Sequence, residues 1–73
     1  MIKELNDYRV FLLDRFKYYG EIGEKDKEKQ CYEKAQTCEL LIDLYDEMKL
    51  STNEWHIIKV LVNEYRGLRY GRV

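Results

Sequence analysis

No proline occurs anywhere in the 73 residues, and only four glycines do. Without proline, no position forbids a helix interior, so helix ends must come from glycine or from polar capping residues. An excess of charge of either sign is missing as well, since 13 basic and 14 acidic side chains leave a formal net charge of −1. That balance excludes a general polyanion binder, which needs a strong positive excess, and a DNA-mimicking inhibitor, which needs a large negative one. Long apolar runs are absent too. The longest is Val10 to Leu13, against the ~20 residues of a membrane span. The opening Met1-Ile2-Lys3-Glu4 has no apolar stretch of the signal-peptide kind, so a cytoplasmic protein with no membrane partner is expected.

Ligating and nucleophilic side chains are scarce. There are two cysteines and one histidine. Cys31 and Cys38 fall on one predicted helix, which sets their Cα atoms roughly 10.5 Å apart at 1.5 Å per residue. A disulfide needs about 4.4–6.8 Å, so the two do not pair within one chain. They make no metal site either, because His56 lies on another helix and no second cysteine pair exists. No cofactor is implied.

What is present is the composition of a folded domain. Hydrophobic residues are 45% of the chain, with seven Tyr, two Phe and one Trp. That is too much apolar surface to leave solvated. A chain of this length makes one domain, 1–73, because half of it could not bury a core.

Gly20, Gly23, Ser51, Gly67 and Gly71 divide the chain into predicted helices at about 2–19, 24–49 and 52–68, followed by a basic tail, 66–73. In the first, Ile2, Leu5, Tyr8, Leu12, Leu13, Phe16 and Tyr19 fall within one arc at 100° per residue, while Phe11 and Tyr18 form a separate stripe. In the second, Cys31, Ala35, Cys38, Leu41, Ile42, Leu44, Tyr45 and Met48 span nearly half the circumference, and Leu40 widens the arc. An arc that wide predicts a long central second helix packed on both sides. Ser51-Thr52-Asn53-Glu54 fits a capping box at the head of the third helix, whose apolar face is Trp55, Ile58, Leu61, Val62, Tyr65 and Leu68. Short connections make successive helices antiparallel. The expected fold is all-α, a small up-down-up three-helix bundle.

Candidate chemistry is thin. Nucleophilic catalysis needs Cys or Ser beside a histidine held by a carboxylate, yet His56 projects away from the apolar face of its helix and the cysteines project toward the core. Gly20-Glu21-Ile22-Gly23 follows a helix instead of a strand and is too short to cradle phosphate. No catalytic residues are assigned and no enzyme is expected. The segment from Leu50 to Leu61, Leu-Ser-Thr-Asn-Glu-Trp-His-Ile-Ile-Lys-Val-Leu, resembles the opening of the helix-turn-helix in winged-helix regulators of the multiple-antibiotic-resistance type. That resemblance covers about a sixth of the chain and implies DNA-binding ancestry. In that family a turn, a recognition helix and a β-wing follow; here Val62 to Val73 leave room for none of them.

Two patches exceed what folding requires. The C-terminal run holds Tyr65, Arg66, Arg69, Tyr70 and Arg72, with no acidic residue after Glu64. Arginine with tyrosine can anchor a protein partner or bind phosphate and stack on bases. The second patch is Phe11 with Tyr18, edged by Val10, an aromatic pair one heptad apart on an acidic face that suits a helix-in-groove contact or a homodimer through the first helix. The leading expectation is a non-catalytic protein-interaction module, a small helical adaptor, regulator or inhibitor with a protein partner. The alternative is a nucleic-acid-binding regulator using the Arg/Tyr tail. A short chain rich in Lys, Glu, Tyr and Ile without proline also suits an accessory protein of a phage or other mobile element.

Overall fold

A computed structural model of the chain describes residues 1–70. Its order is α1 (Ile2–Glu21), α2 (Lys25–Asp46) and α3 (Thr52–Tyr70), an all-α, three-helix bundle. Glu64 of α3 pairs with Lys34 of α2 while Trp55 stacks on Tyr45, so α3 runs antiparallel to α2. Tyr65 packs on Tyr8 and Phe11 and Arg66 reaches Glu4, which sets α3 alongside the first half of α1 only. From Tyr65 to its end α3 advances about 7.5 Å, whereas α1 continues roughly 15 Å beyond Phe11. The end of the α1–α2 pair therefore extends past α3.

Each helix contributes three residues to one core: Leu5, Tyr8 and Leu12; Ala35, Cys38 and Leu41; Ile58, Leu61 and Val62. Burial of a Leu, Ile or Val side chain contributes roughly 1.5–3 kcal/mol. No polar or charged residue among those described is buried. The small side chains Ala35 and Cys38 let α1 lie close along α2, and this is the most extensive packing in the molecule. α2 is the longest helix and packs on both neighbours: Ala35, Cys38 and Leu41 enter the core shared with α1 and α3, and Lys34 and Tyr45 reach Glu64 and Trp55 of α3. Leu40, Tyr45 and Met48 of the apolar arc of α2 stay exposed.

Both connections end a helix in the same hydrogen-bonded form. After α1, the Glu24 amide donates to the Tyr19 carbonyl at 2.9 Å and the Gly23 amide to the Gly20 carbonyl at 3.4 Å. After α2, the Lys49 amide donates to Leu44 at 2.8 Å and the Met48 amide to Tyr45 at 3.0 Å. These are Schellman pairs, which need a left-handed residue just beyond the helix. Gly23 supplies it at φ 80° and Met48 at φ 57°. Gly20, read from the sequence as a stop, lies inside α1, and α2 ends three residues short of the expected 49 because Met48 leaves the helical conformation. Ser51 heads α3 as its pattern required: its amide donates to the Glu54 carboxylate at 2.9 Å and its hydroxyl accepts from the Glu54 amide at 3.3 Å.

Candidate functional site

The left-handed turn at Met48 throws its side chain outward. Met48 is 92% exposed, more than any other large apolar residue described. Beside it, the last turn of α2 and the first of α3 converge just beyond the start of α1. There Tyr45, Met48, Leu50 and Trp55 line a hollow of about 190 Å³. The walls are largely apolar, with the Trp55 ring edge-on to Tyr45 at 6.0 Å between centroids. Leu50 packs down against the core and fixes the floor. Tyr45 and Trp55 remain 43% and 36% exposed. Exposed Trp, Tyr and Met grouped around a concavity form the composition of an interaction hot spot.

The charge around this corner is acidic. Asp43, Asp46 and Glu47 crowd the end of α2, whose last turn carries no basic residue. Unpaired carbonyls at a helix C-terminus add negative potential. Lys49 reaches Glu47 only loosely, at 3.9 Å, and Glu54 is committed to the α3 cap. Two further hollows, one over Leu61 between Lys34 and Thr37 and one between Arg9 and Asp43, are walled mainly by charged and polar side chains.

No protein-family model, no curated protein and no solved structure matches this chain.

The residues singled out from sequence do not gather in one place. Phe11 is half-buried and packs on Tyr8 and Tyr65 at 6.2 and 6.1 Å, because α3 lies over that side of α1. Tyr18 is exposed further along, against Tyr19. The Arg15 guanidinium sits between the two, 5.4 Å from the Phe11 ring and 5.9 Å from that of Tyr18. Val10 is exposed. In the C-terminal patch, Tyr65 is packed against the core and Arg66 donates two hydrogen bonds to the Glu4 carboxylate, at 2.6 and 2.7 Å. That pair holds the Glu4 carboxyl below the usual range, first through the hydrogen bond and then through the charge of Arg66. Arg69 and Tyr70 stand free of the core, with the guanidinium 5.8 Å over the ring. Both belong to α3, which continues through residues expected to be tail. Arg72 lies outside the described residues.

Reactive groups sit in unreactive places. Cys38 is buried, and desolvation pushes its thiol up to about 11. Cys31 is half-buried and also raised by desolvation, against the opposing charges of Lys34 and Arg15. The nucleophilic form is the thiolate, which both shifts deplete near neutral pH. His56 is exposed. Among the described residues no three His, Cys, Asp or Glu side chains are grouped as a metal ion would require, and no helix is long and apolar enough to cross a membrane. The segment resembling a helix-turn-helix opening runs on without a break to Tyr70, where that family has a turn.

Helical periodicity does not mark the corner, because Tyr45, Met48 and Trp55 fall on core-facing arcs. The available signal was the lack of glycine between residues 45 and 52. A helix reversal there forces some other residue into the left-handed region, and its side chain then leaves the helical arc.

Proposed function

We propose that this chain is a non-catalytic protein-interaction module that binds through the α2–α3 corner. The observation that carries this reading is Met48. A left-handed residue with a Cβ costs about 1–2 kcal/mol, and here the side chain gives nothing back to the fold, being almost wholly exposed. Backbone strain beside an apolar concavity of Tyr, Leu and Trp is the combination found at binding surfaces. Small bundles also gain stability from a bound partner. The nucleic-acid reading of the C-terminal patch has less to rest on, since Arg66 is committed to Glu4.

A photo-cross-linking amino acid placed at Lys49, on the rim of the corner, tests the proposal in cells producing the chain. Discrete protein adducts are expected from position 49 and none from Lys17, an exposed position on α1. If position 49 gives no discrete adduct, the corner is not an interaction surface.

A further inference from the structure

The two ends of α3 are complementary to each other. At its start lies the apolar hollow of Tyr45, Met48, Leu50 and Trp55, bordered by Asp46 and Glu47 at the end of α2, whose last turn carries no basic residue and whose nearest cation, Lys49, is 3.9 Å from Glu47. At its other end Leu68 and Tyr70 are exposed, Tyr70 by 67%, with Arg69 over the Tyr70 ring and no acidic residue after Glu64. A hollow of about 190 Å³ takes one ring, since an apolar cavity of ~150 Å³ holds benzene. The guanidinium beside that ring suits bidentate pairing with a carboxylate. The two features cannot meet within one chain, because α3 between them is a straight run of 19 residues, about 28 Å long.

We infer that the occupant of the corner is a second copy of this chain, which docks the Leu68-Arg69-Tyr70 end of its α3 there. The inference rests on the reading of the corner as an interaction surface and names its partner. Tyr70 fills the hollow against Trp55, Arg69 meets Asp46 or Glu47, and Met48 closes over the ring. Leu68, Arg69 and Tyr70 are all exposed among the described residues. Corner and tail lie at opposite ends of α3, so two copies can dock reciprocally about a two-fold axis, or copies can add head to tail into a ring or an open chain. A corner-to-corner dimer would instead set Asp46 and Glu47 against their own equivalents.

Corner-to-tail docking has a diagnostic that a corner-to-corner interface lacks. One variant carries Arg69→Glu with Tyr70→Ala; the other carries Met48→Asn, because asparagine tolerates the left-handed conformation. All these positions are exposed, and circular dichroism checks that both variants fold. In sedimentation velocity the unmodified chain should associate with rising concentration, and more weakly as salt rises. Each variant alone should need about tenfold more protein to associate, the loss of about 1.4 kcal/mol. Mixed, the two should form a 1:1 pair and nothing larger, because one intact corner then faces one intact tail. An unmodified chain that stays monomeric at millimolar concentration overturns the inference, as does a variant that associates as readily as the unmodified chain or a mixture that fails to pair. The cross-linker at Lys49 separates the two levels of the argument. Adducts of twice the chain mass that map to residues 68–70 support self-docking. Adducts to a different protein alone leave the interaction module standing and remove the second copy. The absence of any adduct removes both.

Discussion

The turn after α1 and the turn after α2 make the same pair of backbone hydrogen bonds and place a residue in the same left-handed conformation. At Gly23 that conformation is free of a steric penalty, and a Cβ built there would meet nothing within 4 Å. At Met48 it carries the penalty of a side chain, and that side chain reaches almost nothing within its own chain. The first turn joins the two helices with the most extensive packing in the molecule; the second joins the helix pair to α3, which is held by fewer contacts. If stability alone shaped the second turn, glycine would be expected at 48. On the proposed function, the difference separates a turn that only folds the chain from one that also presents a surface.

The comparison can be broken at the attachment of α3. Ile58 is fully buried, so Ile58→Ala should cost about 2–5 kcal/mol and show as a large loss of denaturation midpoint. A much smaller loss would mean that α3, and the corner with it, is not packed as described. At the first turn, Gly23→Ala should cost roughly 1 kcal/mol, the left-handed penalty less the reduced entropy of the unfolded chain. A neutral result in urea unfolding would remove the contrast with Met48. Ser51→Ala should cost about 1 kcal/mol or somewhat less, since it deletes one of two reciprocal cap bonds on an exposed turn, and thermal denaturation reads that.

The smallest effect concerns the far end of α3. The Glu4 carboxyl is held below its ordinary value of 4.5 by Arg66. A lowered folded-state value means the pair stabilises the fold above the unfolded value and loses that contribution as pH falls through the folded one. Arg66→Ala should therefore be slightly destabilising at pH 7 and indistinguishable from the native chain near pH 2, with high salt weakening the difference. Equal destabilisation at both pH values would assign Arg66 a packing role instead.

Sequence and structure agree where the determinants are local. The capping box at Ser51 needs only Glu54 three residues on, so it was legible, and the apolar period marked Leu5, Leu12, Ile58, Leu61 and Val62 as core. Long-range relations were not legible. A helical wheel shows which side of α2 is apolar but not how far its neighbours extend. Tyr45 and Trp55 therefore read as core, although they lie beyond the start of α1. Phe11 fell outside the arc of α1 because its packing partner Tyr65 is 54 positions away in the chain. Arg66 looked free because Glu4 is 62 away. The left-handed turn at Met48 carries only an indirect signal: no glycine lies between residues 45 and 52, and methionine itself does not mark the position.

Equilibrium unfolding of Met48→Gly against the native chain, at low and high protein concentration, tests most directly that Met48 is kept at a cost to the fold in order to present the corner. At low concentration the variant should be more stable by roughly 0.5–1 kcal/mol, the relieved penalty less the greater freedom of glycine in the unfolded chain. Raising the protein concentration should stabilise the native chain through association and leave the variant unchanged. A variant less stable than the native chain at low concentration, or one that gains as much as the native chain at high concentration, would contradict the account.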